Sequence, residues 1–82
     1  MSISAVNLDP RVDDVRVRDD RLEVTLRDGR RISAPLSWFP RLEAATEVDR
    51  AKWEVCAADY GIHWPGIDED LSVDGLLMGA PG

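Results

Sequence analysis

The sequence predicts a small α+β domain: an antiparallel sheet, built from a three-stranded meander and one late strand, packed with two or three short helices. Three observations support this class. Apolar and polar residues alternate between residues 12 and 35, as is typical of strands with one solvent-facing side. Apolar residues between 37 and 52 recur at helical spacing, and extended chain returns between 53 and 64. A chain of 82 residues is the length of a single domain, so we expect residues 1–82 to fold as one unit.

The first hairpin of the meander is predicted from cross-strand pairing. A two-residue loop at positions 19–20 pairs Val17 with Leu22 and brings the apolar side chains of both strands to one face. The same register places Arg16 opposite Glu23, so we expect a favourable charge pair on the other face.

The second hairpin is predicted to contain a bulge. A two-residue turn at Asp28 and Gly29 would send Ile32 to the solvent side of the sheet. A three-residue loop over 27–29 instead pairs Val24 with Ile32 and places Gly29 at the left-handed position that such loops require. A slip of one residue would invert the third strand, so the bulged loop is preferred.

The rest of the chain is predicted to alternate short helices with extended segments. Ser37 is predicted as the N-cap of a first short helix, and Thr46 as the N-cap of a second. Residues 54–58 and, after a turn, 62–64 are predicted to be extended, and Pro and Gly at 65 and 66 end the strand. Ser72 is predicted to cap a last helical turn.

The two ends and the single cysteine bear on location. Residues 1–11 are predicted to be a loose lead-in, and residues 79–82 a frayed tail. Neither a signal peptide nor an apolar stretch of the ~18 residues that would span a membrane is visible, so no membrane partner is expected. Cys56 stands alone, which excludes a disulfide within the chain and fits a reducing, cytoplasmic compartment. We expect Cys56 to be a small buried residue on a strand.

The charge distribution is the most unusual feature of the sequence. The entire net charge of −6 lies in residues 53–82, which hold six acidic residues and no Lys or Arg. Such a surface attracts a basic protein or a cation and repels phosphate backbones. The arginines of the meander are matched by as many carboxylates, so a basic face for nucleic acid is not expected either. We therefore predict a small basic protein as partner and no direct contact with nucleic acid.

The sequence offers no set of residues for catalysis or for a dedicated metal site. Residues 68–70 resemble the start of a calcium loop, but Val73 stands where that loop needs Gly, and Gly79 where it needs Glu. Weak cation binding by the clustered carboxylates stays open. His63 is the only histidine, and one His with one Cys supplies too few ligands for structural zinc. We predict no enzyme, no metal and no cofactor.

The predicted binding face lies where an aromatic strand end runs into three consecutive acids. It comprises His63, Trp64, Asp68, Glu69 and Asp70. In this interpretation the carboxylates set the association rate and the specificity, and Trp64 acts as an apolar anchor that slows dissociation. The alternative is a homodimeric structural or regulatory domain, in which an exposed meander edge or an aromatic patch pairs with a second copy.

Two segments carry a likeness to a known family. One runs from Asp20 to Arg30 and the other from Gly61 to Leu77, and Pro35-Leu36 and Trp53 complete the pattern. On these residues the chain resembles a widespread bacterial family of small domains of unknown function. The resemblance implies a cytoplasmic α+β domain without a catalytic residue set. Some members are fused to a helix-turn-helix, of which this sequence shows no pattern, and others are proposed to be antitoxin-like. We therefore expect a non-enzymatic protein-interaction module of the antitoxin-like kind.

Overall fold

Six strands and three short helices follow one another between residues 8 and 79, the part of the chain that this computed structural model describes. The order is β1 (Val12–Arg18), β2 (Arg21–Leu26), β3 (Arg31–Pro35), a 3₁₀ turn (Leu36–Trp38), α1 (Pro40–Glu43), α2 (Glu47–Ala51), β4 (Glu54–Cys56), β5 (Gly61–Trp64), β6 (Glu69–Ser72) and α3 (Val73–Met78). The strands form two antiparallel three-stranded sheets, β1-β2-β3 and β4-β5-β6. The α+β class is confirmed, and the late strand belongs to a second sheet.

The first hairpin has the predicted register. Val17 pairs with Leu22 and Arg16 with Glu23. Both turn residues, at positions 19 and 20, have positive φ angles of 52° and 58°, as in the tight turns that match the twist of a hairpin. The expected charge pair is wrong in its partner: the Glu23 carboxylate accepts from Arg18 at 3.1 Å, and Arg16 bonds to Asp14 instead.

The second hairpin contains the predicted three-residue loop. Val24 pairs with Ile32 across β2 and β3. The Leu26 N–H donates to the Arg30 carbonyl at 2.8 Å, and the Gly29 N–H donates back to the Leu26 carbonyl at 3.0 Å. Gly29 has a φ of 91°, which is the left-handed conformation expected of the bulge residue.

The predicted lead-in is not loose at its C-terminal end. The Asp9 N–H donates to the Asp28 carboxylate at 3.0 Å, and the Asp28 N–H donates to the Asp9 carbonyl at 3.2 Å. The Arg27 N–H donates to the Arg11 carbonyl in the same way, so residues 9–11 extend the pairing beyond β1. Residues 1–7 and 80–82 lie outside the described part of the chain, and the predictions for them stay predictions.

Of the three predicted helix N-caps, one is wrong and two are confirmed. Ser37 lies inside the 3₁₀ turn and caps nothing; α1 begins after Phe39, with Pro40 at its first position. Phe39 is fully buried, so packing of that ring sets the start of this helix. Thr46 caps α2, with its hydroxyl accepting from the Asp49 N–H at 3.1 Å, and Ser72 caps α3 in the same manner.

The second sheet contains a strand that the sequence pattern did not predict. β6 includes two of the three consecutive acids, which we expected to lie in a turn, and its Leu71 pairs with Ile62 of β5. The turn comes earlier, over residues 65–68. The expectation for Cys56 is also wrong: its side chain is exposed at the end of β4.

One core is shared by both sheets. Its largest fully buried side chains are Trp64, Phe39, Leu22, Leu26, Leu42 and Ile62, which come from both sheets and from the helical segment between them. Within residues 8–79, no helix has the length and apolar character needed to cross a membrane.

Candidate functional site

The outer face of the second sheet carries a row of three charged or polar side chains. Glu54 on β4 pairs with His63 on β5, and His63 pairs with Asp70 on β6. Residues directly opposite one another in antiparallel strands project to the same face, so these three side chains lie side by side. We call this row, together with Asp68 at the adjoining turn, the acidic face.

His63 and Asp70 are in direct contact. The His63 Nδ1 lies 2.5 Å from the Asp70 Oδ1, and because an ionised carboxylate only accepts, the ring N–H donates. The side chains are 31% and 69% exposed, so the pair sits at the surface. The contact fixes the imidazole between β5 and β6 and gives the middle of the acidic face a defined geometry.

Trp64 does not belong to this face, and its predicted role as a surface anchor is wrong for the isolated domain. Its side chain is fully buried, and its Nε1–H donates to the Arg50 carbonyl at 3.1 Å. Side chains alternate along a strand, so His63 faces out while Ile62 and Trp64 both face the core. Trp64 instead attaches the second sheet to the end of α2.

Asp68 and Glu69 lie where the turn enters β6. Asp68 is exposed with a positive φ of 52°, and its carbonyl accepts from Arg41 Nη1 at 2.7 Å. Glu69 is half-buried, and its carboxylate accepts from the Asp70 N–H at 3.2 Å. Because Glu69 pairs with Trp64, its side chain leaves the core side of the sheet and, contrary to the prediction, does not belong to the acidic face. The turn packs closely on α2, because a Cβ at Gly66 would lie 2.9 Å from the Asp49 carboxylate. The turn is therefore held at both ends.

Glu54 is the member of the face that sequence reasoning missed. It precedes the acidic run by fourteen residues, and only the pairing of β4 with β5 brings it beside His63. The sequence signal that could have identified Glu54 is its alternation with the apolar Val55, combined with the turn that follows Cys56.

Carboxylates at the first sheet are paired with arginines, whereas, within residues 8–79, those of the acidic face are not. In the first sheet, hydrogen bonds from neighbouring arginines lower the pKa of Asp9 to about 2 and lower the pKa of Glu23 and of Asp28. Asp59, in the turn between β4 and β5, bonds to Arg27 at 2.5 Å. The carboxylates of the acidic face form no salt bridge with any described Arg or Lys, so their charge is directed to solvent.

Two observations bear on the chemistry that the acidic face can support. Among residues 8–79, no group of three or more His, Cys, Asp or Glu side chains is placed to hold a metal ion. Cys56 projects to the same side as His63, but its Sγ lies over Gly61, where a Cβ would come within 2.8 Å of it. No hydrogen bond joins that thiol to the His63 ring in the described structure, so His63 and Asp70 have no partnered nucleophile there.

Comparison with known proteins identifies relatives of the whole fold. A family model for a protein of unknown function (DUF2442) matches residues 12–82. A protein of unknown function from Rhodospirillum rubrum has a crystal structure with a TM-score of 0.74 and 31% identity, over 88% of this chain and 89% of that one.

A second solved relative shows the same fold at lower identity. The solution structure of uncharacterized protein CV0863 from Chromobacterium violaceum has a TM-score of 0.74 and 22% identity, over 88% of this chain and 68% of that one. No curated protein matches the sequence. With a family match that covers residues 12–82, the chain belongs to the DUF2442 family of proteins of unknown function.

Proposed function

We propose that this chain is a non-enzymatic protein-interaction module that binds a basic protein through its acidic face. The observation that carries the proposal is the unbalanced charge of that face. Glu54 and Asp68 have no cationic partner in the described structure, and Asp70 has only His63. Complementary charge raises the association rate of a basic partner and disfavours an acidic one.

The shape of the face favours a macromolecular partner over a small molecule. Small ligands bind in concave sites that cover most of their surface. Two concavities of the described structure lie beside the first sheet, one against α2 and one on the solvent side of the meander. The acidic face is an open sheet surface, which suits contact with another protein.

One aromatic side chain next to β5 is exposed. Tyr60, the residue before β5, is 45% exposed, whereas Trp64 is buried. Tyrosine is enriched in protein interfaces because its ring is large and its hydroxyl remains hydrogen-bonded. Of these two aromatic residues, only Tyr60 is accessible to a partner.

The partner that we propose is a small basic protein that this domain neutralises in the cytoplasm, as an antitoxin does. This finer assignment is supported by the resemblance to antitoxin-like members of the family and by the net charge of −6. It needs no cofactor and no catalytic residue.

The test is affinity capture from a lysate of the cells that produce the protein, with washes at low and then high salt. The wild type is compared with Glu54→Lys/Asp70→Lys, which reverses two charges of the acidic face. The matched control is Asp13→Lys/Glu43→Lys, which makes the same change in net charge at exposed positions elsewhere. Identification by mass spectrometry is followed by titration with the purified partner.

We expect one stoichiometric basic protein to bind the wild type and the control. Its affinity for Glu54→Lys/Asp70→Lys should be at least ~10-fold weaker, which corresponds to about 1.4 kcal/mol. Equal loss in both double variants would show that overall charge, not this face, attracts the partner. Capture of no protein, or of one that binds all three chains equally, would refute the proposal.

A further inference from the structure

One edge of β1 faces away from β2, the strand with which it pairs. The Leu26 N–H donates to the Arg30 carbonyl, so the main-chain groups of Leu26 point toward β3. These groups alternate in direction along a strand, so those of Glu23, three residues earlier, point toward β1. Arg16 is the partner of Glu23 in the register, so the main-chain groups of Arg16 bond to β2. The main-chain groups of the residues on either side of Arg16 therefore point outward.

These outward groups belong to Val15 and Val17. At the start of the strand the outer edge is occupied, because the Val12 N–H donates to the Asp59 carbonyl at 2.8 Å. Beyond that point, no acceptor within residues 8–79 bonds to the N–H of Val15 or Val17. An edge of unpaired donors and acceptors is a template for an added strand.

This edge forms one wall of a groove of about 380 Å³. The opposite wall is built by α2 and the residues that follow it. The apolar lining consists of Val15, Val17, Ala51 and Trp53, and the charged lining consists of Arg16, Arg18, Arg50 and Glu47. The charged lining is thus mainly basic, on a chain whose net charge is −6.

The Arg50 guanidinium is held by main-chain carbonyls and not by a carboxylate. Its Nε–H donates to the Leu42 carbonyl at 3.0 Å and its Nη2–H to the Glu43 carbonyl at 2.6 Å. It forms no salt bridge in the described structure, whereas Arg16 and Arg18 each have a carboxylate partner. A guanidinium has five N–H donors, so Arg50 retains donors for an incoming anion.

We propose that this groove binds an extended acidic peptide segment of a partner protein. The segment adds a strand to β1 through the main-chain groups of Val15 and Val17, and it places a carboxylate near Arg50. Main-chain bonds supply affinity in this mode of recognition, and side-chain contacts supply specificity. The proposal concerns a second surface and does not depend on the acidic face.

The charged lining of the groove and the open edge of β1 favour an acidic peptide over other occupants. A basic segment would meet the arginines of the lining. A nucleic acid has no peptide main chain, so it cannot add a strand to the open edge. An acidic segment matches Arg50 locally, and its main chain matches the open edge.

The test begins with a phage-displayed library of random ten-residue peptides selected on the full chain. The most enriched peptide is synthesised and titrated while the amide resonances of Val15 and Val17 are followed. Ala51→Glu adds a repelling charge to the exposed wall of the groove, and Ala51→Gln is its uncharged control of matched size. Val17→Pro removes one outward N–H without breaking a bond to β2.

We expect enriched peptides to contain Asp or Glu within an alternating apolar pattern and to shift the Val15 and Val17 amides. Affinity should fall at least tenfold in Ala51→Glu and be kept within about twofold in Ala51→Gln. Loss of the peptide in Val17→Pro supports strand addition, and unchanged binding by Glu54→Lys/Asp70→Lys shows that the two surfaces are independent.

Several results would overturn the proposal. They are the absence of any enriched peptide, equal binding to Ala51→Glu, and shifts confined to amides elsewhere in the chain. Protection of the Val15 and Val17 amides from exchange in the free monomer would show that the chain itself covers this edge. Protection that appears only as the protein dimerises would show that a second copy is the occupant.

Discussion

His63 and Asp70 face one another across β5 and β6, with the imidazole Nδ1 2.5 Å from the carboxylate. The pair explains how a surface with unbalanced negative charge keeps a fixed shape. It joins the two strands on the solvent side, directly behind the packing of Ile62 and Trp64 on the core side. The position of the acidic face is therefore set by the core below it.

Asp70→Asn should lower stability only slightly. The Asp70 side chain is 69% exposed, and surface ion pairs contribute at most about 1 kcal/mol. For a domain of this size that corresponds to a fall in Tm of no more than ~8 °C, measured by circular dichroism. Asp13→Asn, at an exposed position where no ion pair forms within residues 8–79, is the control. A loss above ~2 kcal/mol would mean that the pair holds the sheet together.

Trp64→Ala should unfold most of the protein. The ring is fully buried, and its removal also leaves the Arg50 carbonyl without its donor. Losing a buried Trp costs about 3–5 kcal/mol, which is all that one small core usually supplies (~3–5 kcal/mol). Urea titration followed by circular dichroism measures the loss. Tyr60→Ala, at a half-exposed aromatic, is the control and should cost less than ~1 kcal/mol. Full stability of Trp64→Ala would contradict the buried position.

Acid should destabilise the first sheet through its carboxyl–arginine contacts. The bond from Arg11 lowers the pKa of Asp9 from 3.8 to about 2. A carboxyl whose pKa is lower in the folded state stabilises the protein above its unfolded pKa, and that stabilisation disappears as pH falls from about 5 to 2. Asp9→Asn should therefore lose less Tm over this interval than the wild type does. Parallel pH profiles of the two proteins would contradict the assignment, with Asp13→Asn as control.

Gly29→Ala should cost about 1 kcal/mol through the backbone alone. Gly29 has a φ of 91°, and no atom lies within 4 Å of the position where a Cβ would be added. The loss is therefore conformational, since L-residues with a side chain rarely adopt this region. Gly29→Asn, which tolerates positive φ better, should recover part of the loss in a urea titration. Equal stability of Gly29→Ala and the wild type would mean that the loop adopts another turn.

The register of the two meander hairpins could be predicted because its signals are local. Alternation fixes which side chains share a face, and only one loop length lets Val24 and Ile32 share it. The turn residues then agree with the register, including the left-handed Gly29. Each of these constraints acts within one hairpin, so no information from the rest of the fold was needed.

The candidate site could be predicted only in part, because its geometry depends on the second sheet. Alternation shows that the side chains of His63 and Trp64 point to opposite sides of the strand, but it does not show which of the two faces the core. The strand β6 is equally hidden, because its acids suggest a solvated turn and only Leu71 marks its apolar side. Glu54 joins the face through β4, and Arg50 joins the groove through α2. These placements arise from tertiary packing.

The helix caps give a direct comparison between the sequence pattern and the structure. Thr46→Ala and Ser72→Ala should each lower stability by about 1 kcal/mol, because each hydroxyl accepts a main-chain N–H at the start of its helix. Ser37→Ala should have little effect, since Ser37 caps no helix and its side chain is exposed. Urea titrations of the three variants measure the differences. If Ser37→Ala were as costly as the other two, the first helix would begin at Ser37, as its sequence pattern suggests, and the packing of Phe39 would not set the start of α1.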